Sequence, residues 1–99
     1  MVVIAALELR FKPDSLDAAR EVLADVLATT RAFEGCRGVE VLIDAHDPAH
    51  WIAHEVWESM EHDAAYRAFR ETAEGSVAGL GPLLAGAPVL THFTVADGI

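Results

Sequence analysis

The sequence predicts an α+β fold of one domain, residues 1–99, with four strands and two helices in the order β-α-β-β-α-β. Four short runs rich in β-branched and aromatic residues alternate largely between apolar and polar positions, as strands do. Two longer segments repeat their apolar residues every three to four positions, as amphipathic helices do. Most connections between these segments carry glycine or proline, which typically end regular structure.

The first strand and the first helix occupy the first third of the chain. Val2–Phe11 is predicted as a strand because its second half alternates apolar and charged residues. A helix follows, with Asp14 or Ser15 as its N-cap and its last turn near Glu34. Gly35 then fits the position at which a left-handed residue commonly stops a helix.

The second and third strands are predicted to form an antiparallel hairpin, because their connection is short. The second strand is Gly38–Asp44 and the third is His50–Glu58. The dipeptide at positions 47 and 48, an aspartate followed by a proline, is predicted as the turn between them.

The second helix is predicted over Met60 to about Thr72, with Ser59 as its cap. One stripe of it, at helical spacing, consists of His62, Tyr66, Phe69 and Ala73, and we expect this stripe to face a pocket. The charged residues of this helix are predicted to face solvent; they are Asp63, Arg67, Arg70 and Glu71.

The last quarter of the chain is predicted as a glycine-rich connection and a final strand. Glu74–Ala87 is small and glycine-rich, with one short helical turn around 77–84, and Val89–Val95 forms the last strand. The complete order is the split βαβ arrangement of ferredoxin-like folds, with an antiparallel sheet. Two helices cover only one face of such a sheet, yet the strands carry apolar residues on both. We therefore predict a homodimer whose sheets pack face to face into a barrel-like core.

Several segments together resemble the antibiotic biosynthesis monooxygenase domain family of the dimeric α+β barrel superfamily. They are the helix end TRAFEGC, the strand GVEVLID, the pattern E-x-W-E-S formed by Glu55, Trp57, Glu58 and Ser59, and the closing GAPVLTHFTV. The resemblance covers nearly the whole chain. It implies a pocket between sheet and helices, and cofactor-independent oxygenation of quinols, anthrones or similar polycyclic phenols.

Three positions depart from patterns common in this superfamily. Tyr66 stands where many quinol-type members place a histidine, nine residues after the strand aromatic, and Glu71 stands where they place a second. Haem-degrading relatives carry an axial histidine at the position of Arg67, which cannot ligate iron. The sequence therefore predicts no haem and, since it has no nucleotide-binding fingerprint, no cofactor.

The candidate site residues follow from the chemistry that cofactor-free oxygenation needs. A base must take the phenolic proton, and polar donors must stabilise the oxyanion in an apolar, water-poor pocket. The candidate catalytic residues are His62 as the base, Tyr66 as a donor and Trp57 as a flat wall with an indole donor. The candidate substrate-binding residues are Glu55, Phe69, His92 and His54.

Which face of the third strand meets the helices decides whether Trp57 or His54 can line the pocket. Trp57 and Glu55 share one face of the strand, and His54 lies on the other. If Trp57 faces the helices, His54 faces the partner sheet; the opposite phase exchanges the two. A carboxylate on the Trp57 face must be paired or functional. His92 is ambiguous between pocket and dimer interface.

Composition restricts the partners and the compartment. Sixteen acidic against seven basic residues give a net charge of −9, which disfavours nucleic acid and anionic lipid. The single Cys36 cannot form an internal disulfide, and no run is long enough to span a membrane, so we expect a cytoplasmic protein. No metal site is predicted: His46, His50 and His54 recur every four residues, but the adjacent proline argues against a helix there.

The sequence leaves three functional hypotheses open. The first is a homodimeric, cofactor-free monooxygenase that acts on a small aromatic substrate, a quinol-like or polycyclic phenol. The second is a non-catalytic dimeric ligand-binding or stress-related protein of the same fold. The third is a non-oxidative enzyme on the same scaffold, such as an isomerase or cyclase.

Overall fold

A computed structural model describes residues 1–99 and confirms the predicted order of elements. The strands are β1 (Val3–Arg10), β2 (Cys36–Asp44), β3 (Asp47–Trp57) and β4 (Val89–Phe93), and the helices are α1 (Leu16–Ala32) and α2 (Met60–Arg70). A single 3₁₀ turn, Gly81–Leu83, interrupts the glycine-rich connection as predicted. All strand pairs are antiparallel, in the order β2-β3-β1-β4, which is the ferredoxin-like arrangement.

The hairpin turn lies two residues earlier than predicted. Asp44 pairs with Asp47, so the turn consists of Ala45 and His46, and Pro48 already belongs to β3. The side chain of Asp44 explains the shift, because its Oδ1 accepts a hydrogen bond from the His46 backbone N–H at 2.8 Å. Aspartate side chains commonly stabilise turns this way, and the proline signal pointed to the wrong residue pair.

The helix ends behave largely as their sequences predict. Ser59 caps α2, its hydroxyl accepting from the backbone N–H of His62 at 3.2 Å. Ser15 occupies the cap position of α1 but makes no side-chain capping bond. After α1, Gly35 adopts a φ of +88°, in the left-handed region expected for it.

The register of the sheet settles which face of β3 meets the helices. Trp57 pairs with Val3 and Glu55 with Ala5 on β1, and all four residues are buried under the helices. His54 lies on the opposite face. Of the two arrangements that the sequence leaves open, the structure therefore has the one in which Trp57 faces the helices and His54 faces away.

The core between sheet and helices consists of two apolar clusters. The larger joins β1, α1, β2 and β3 around Leu9, Phe11, Leu23 and Trp51. The smaller joins Val3, Ala5, Trp57 and Tyr66, and so connects β1, β3 and α2. Tyr66 is the aromatic residue through which α2 anchors to the sheet.

The other face of the sheet has no covering layer. Every residue of β4 is exposed, and Phe93 keeps 52% of its surface. Leu42 and Val89, on β2 and β4, are also large exposed apolar residues of this face. We call this surface, formed by alternate residues of the four strands, the open face. No helix of the structure has the length and apolar character needed to cross a membrane.

Candidate functional site

A cavity of about 270 Å³ lies between the sheet and the two helices. Its walls are mostly apolar and come from β1, β3, α1 and the connection after α2, including Leu7, Ala53, Val26 and Leu80. Four polar or charged side chains also line it: Glu55, Tyr66, Arg67 and Arg70. An apolar cavity with a few converging polar groups is the usual form of a small-molecule site.

Glu55 is the acid of this cavity. It is only 2% exposed, and its Oε1 accepts from Arg67 Nη2 at 2.6 Å and from Trp57 Nε1 at 3.0 Å. A carboxylate in the middle of a buried strand is stable only if such partners compensate its charge. The expectation that Glu55 must be paired is thus confirmed. Both bonds fall on Oε1, which leaves Oε2 for a ligand.

Asp63 extends this arrangement toward the edge strand. Its Oδ1 accepts from Arg67 Nη2 at 3.0 Å, and its Oδ2 lies 2.8 Å from His92 Nε2 on β4. Arg67 therefore bridges two carboxylates that are each 2% exposed. The prediction that Asp63 and Arg67 face solvent is wrong, because the polar network rather than apolar burial holds this side of α2 against the sheet.

Tyr66 and Arg70 form a second polar group on the same helix. Arg70 Nε donates to Tyr66 Oη at 2.7 Å, and the Thr30 hydroxyl lies 2.6 Å from the same oxygen. Since the Thr30 hydroxyl donates to the Val26 carbonyl at 3.1 Å, Tyr66 is the donor toward Thr30. The tyrosine hydroxyl is fully engaged, and Arg70 is the group it orients. Arg70 was also predicted to be solvent-facing, which is wrong.

Trp57 lies behind the residues that line the cavity and contacts one of them, Glu55. It is fully buried, and its ring lies 4.9 Å from the Tyr66 ring, centroid to centroid. Phe33 packs edge-on against both rings, and Phe69 lies 5.5 Å from Phe33. Trp57 and Phe69 do not line the cavity. Trp57 acts on it through its hydrogen bond to Glu55.

His62 lies one turn away from the cavity. Its Nδ1 is 2.7 Å from the Ser59 hydroxyl, and its ring packs so closely on Gly35 that a Cβ there would overlap it. This contact joins the end of α1 to the start of α2. The structure therefore separates His62 from Tyr66, with which the helical stripe had grouped it.

His54 belongs to the open face, beside Glu40 of β2 and Ala6 of β1. His92 is on the helix side of β4 and reaches the site through Asp63. Of the seven sequence-predicted residues, the structure thus gathers Glu55 and Tyr66 at the cavity. It places Trp57 one hydrogen bond away from the cavity lining, through Glu55, and His92 two bonds away, through Asp63 and Arg67. It leaves His54, His62 and Phe69 outside.

Sequence analysis missed Asp63, Arg67 and Arg70, although the helix carried a signal for them. Successive residues of an α-helix turn by about 100°, so Asp63 and Arg70 each lie within about 60° of Tyr66. They border the buried stripe rather than oppose it. The i, i+4 spacing of Asp63 and Arg67 also favours an ion pair.

A second cavity, of about 350 Å³, is larger but has different chemistry. It lies between α1 and the outer edge of the sheet, over Trp51, and its charged groups are Arg20 and Arg31. It contains no carboxylate or other proton acceptor among its lining residues. For this reason the cavity at Glu55, and not the larger one, is the candidate active site.

Other reactive groups do not form a site. No group of three or more His, Cys, Asp or Glu side chains is arranged to hold a metal ion. Burial raises the pKa of the Cys36 thiol above its ordinary value, which disfavours the nucleophilic thiolate at neutral pH.

Comparison with solved structures shows the same fold in proteins of low sequence identity. An antibiotic biosynthesis monooxygenase crystal structure superposes with a TM-score of 0.80 at 16% identity, over 97% of this chain and 99% of the other. Rv0793 from Mycobacterium tuberculosis gives 0.81 at 22% identity, over 98% and 97%. A conserved protein from Methanosarcina mazei Go1 gives 0.81 at 14% identity, over 94% and 91%. At these identities the likeness shows the fold alone.

Comparison at the level of sequence identifies the family. A search of curated proteins gave no match to this chain. The family model described as antibiotic biosynthesis monooxygenase matches residues 2–76, which include β1, α1, the β2–β3 hairpin, α2 and all four polar residues of the cavity. The chain belongs to the antibiotic biosynthesis monooxygenase family.

Proposed function

We propose that the protein is a cofactor-independent monooxygenase that oxidises a small quinol-like or polycyclic phenol with O₂. Membership of the monooxygenase family supports oxygenation in general. The observation that carries the proposal is the buried carboxylate of Glu55, whose Oε2 is free of protein hydrogen bonds at the wall of an apolar cavity. A base held this way can take a proton from a phenol that the apolar walls keep flat and dry.

The proposed reaction requires no electron donor other than the substrate. Glu55 takes the phenolic proton, and the electron-rich anion passes one electron to O₂, giving a phenoxyl radical and superoxide. The two combine at a ring carbon, Glu55 returns its proton to the peroxide anion, and the hydroperoxide loses water as that carbon becomes a carbonyl. For a naphthol the balance is C₁₀H₈O + O₂ → C₁₀H₆O₂ + H₂O, a naphthoquinone.

The other residues of the cavity position the reacting groups. Trp57 and Arg67 hold Glu55 Oε1 and so fix the direction of Oε2. The cationic side chains of Arg67 and Arg70 lie 5.1 and 5.0 Å from the Tyr66 ring centroid, and they supply positive charge beside the developing oxyanion. Tyr66 contributes a wall of the cavity and, through its hydroxyl, the orientation of Arg70.

The open face supports assembly as a homodimer. Exposed apolar residues stand at both edges of the open face, on β2 and β4, where the two helices cannot cover them, and a second copy presents the same surface. Because β4 carries His92, which contacts Asp63, the proposed interface lies one residue away from the polar network. The net charge of −9 and the lone Cys36 support a cytoplasmic protein without nucleic-acid partners.

Oxygen uptake tests the proposed function. Dialysed protein, free of metal and flavin, is offered quinols, naphthols and anthrones, with boiled protein as the control for autoxidation. Enzyme-dependent uptake with an oxygenated product is the expected result. Conversion of substrate without oxygen would instead indicate an isomerase or cyclase. Thermal stabilisation by these compounds without uptake would indicate a binding protein.

A further inference from the structure

Arg70 is a half-buried guanidinium whose protein partners are all neutral. Its Nε donates to Tyr66 Oη, its Nη1 to the Gly75 carbonyl at 3.1 Å, and its Nη2 to the Val26 carbonyl at 2.9 Å and to Thr30 Oγ1 at 3.3 Å. None of these acceptors carries a charge. A charge that is partly removed from solvent is normally paired with an opposite charge. The protein supplies no such counter-ion for Arg70, which leaves this role to a ligand.

The contrast with Arg67, one turn earlier, shows how the acids are distributed. Both buried carboxylates of the site, Glu55 and Asp63, lie on Arg67, and neither forms a salt bridge with Arg70. Asp25 and Glu74 share a shallow outer groove with Arg70, but they are exposed and form no salt bridge with it either. Arg70 is thus the cation of the cavity that has no acidic partner in the protein, and it lines the same cavity as Glu55.

The size of the cavity restricts what can reach this cation. Its volume of about 270 Å³ is below the roughly 300–1,000 Å³ of typical drug-sized sites. A compound of one or two rings fits such a space with room for a polar group. Three fused rings with their substituents fit it only at the packing density of a protein interior, unless the connection after α2, which supplies Val77 and Leu80, moves away.

We propose that the ligand of this cavity is a hydroxyaromatic acid of one or two rings, bound with its carboxylate on the Arg70 guanidinium. The inference rests on the proposed function, which places the hydroxyl group of the ligand at Glu55. It adds two requirements for the ligand: a second group that is permanently anionic, and a size of at most two rings. One N–H of Arg70 Nη1 has no protein acceptor, and a charge-assisted hydrogen bond from this N–H suits a carboxylate oxygen.

Calorimetric titration under nitrogen tests the proposal without any turnover. The probes are 1-hydroxy-2-naphthoic acid and its neutral isostere, 1-hydroxy-2-naphthamide, with 1-hydroxyanthracene-2-carboxylic acid as the three-ring probe. We expect the naphthoic acid to bind about tenfold tighter than the amide, the value expected of one charge-assisted bond, and the three-ring acid to bind at least about tenfold more weakly. The preference for acid over amide should disappear in Arg70→Gln and persist in Arg70→Lys, which keeps the charge.

The matched control is Arg20→Gln, which removes the same charge from the other cavity and should leave the preference unchanged. Circular dichroism establishes that each variant is folded. Equal affinity for acid and amide in the unmodified protein, or no binding of the acid, would overturn the proposal even if Arg70→Gln failed to fold. A preference that survived Arg70→Gln would overturn it too. Oxygen uptake plays no part here, so a failure of the monooxygenase reaction and a failure of this inference are separate results.

Discussion

Arg67 Nη2 donates to Glu55 Oε1 at 2.6 Å and to Asp63 Oδ1 at 3.0 Å, so one nitrogen holds two buried carboxylates. The contact with Glu55 crosses from α2 to the C-terminal end of β3 and forms part of the cavity wall. It fixes the acid of the site and anchors the helix by the same bond. Stability and chemistry therefore depend on the same side chain.

Arg67→Gln should lower the free energy of unfolding by about 3–5 kcal/mol, because it leaves two buried carboxylates without their shared cation. Urea denaturation measures the change. Arg10→Gln is the control, since Arg10 and Glu8 form a longer, more exposed pair whose loss should cost under about 1 kcal/mol. Equal effects of the two substitutions would contradict the importance assigned to Arg67.

Gly35→Ala should destabilise the fold by about 1–2 kcal/mol from its positive φ alone, with a further cost from overlap with the His62 ring. The double variant Gly35→Ala/His62→Ala should recover the second part, so the two changes are not additive. Denaturant titration of both single variants and the double variant gives the coupling. Strict additivity would mean that the ring and the glycine are not in contact.

His50 should make stability depend on pH in two ranges. The hydrogen bond to Asp44 is the largest contribution that raises the pKa of the His50 imidazole, and the contact with Glu8 is the second largest. This stabilisation is therefore complete below the unfolded pKa of about 6.5 and is lost as pH rises through the higher folded value. The same bond lowers the pKa of Asp44, whose stabilisation is present above about pH 4 and is lost as pH falls through its folded value.

The variant His50→Gln isolates this effect. The difference in unfolding free energy between the unmodified protein and His50→Gln should shrink at both ends of the pH range. His46→Gln is the control, because only the backbone N–H of His46 contacts Asp44. A difference that stayed constant from about pH 2 to pH 9 would refute the assignment.

Phe93→Glu tests the proposed dimer. Phe93 is 52% exposed on the open face, at the end of the edge strand β4, where it lies beside Ile4 of β1. A carboxylate there should dissociate the dimer, since burying it against a second sheet costs more than the contact contributes. Light scattering after size-exclusion chromatography reports the mass. Glu58→Gln, at an exposed position outside the open face, is the control. A monomeric unmodified protein would contradict the proposal outright.

The sequence was sufficient for the fold because periodicity and end signals agreed along the whole chain. Alternation placed Trp57 and Glu55 on the same face of β3, where a carboxylate must be paired or functional, and the structure shows that this face meets the helices. The sequence was insufficient for the rest of the site because the buried side of α2 carries charged residues as well as an aromatic one. Its buried side mixes Tyr66 with Asp63 and Arg70, and a charged residue is normally assigned to solvent unless its partner is known. Those partners, Thr30 and His92, come from distant parts of the chain.

The same limitation explains the different positions of the two candidate bases. His62 has the more suitable side chain for proton transfer near neutral pH, and the helical stripe places it with Tyr66. Only the tertiary contacts show that it packs on Gly35, whereas Glu55 lines the cavity.

The most direct test of the proposed function compares oxygen consumption by Glu55→Gln and His62→Gln with that of the unmodified protein, at saturating phenol. Glutamine keeps the shape of Glu55 and its bond to Trp57, but it cannot take the proton. The proposal predicts that kcat falls about 10²- to 10⁴-fold in Glu55→Gln, the usual contribution of a general base, and less than about threefold in His62→Gln. Unchanged turnover in Glu55→Gln, or a large loss confined to His62→Gln, would contradict it.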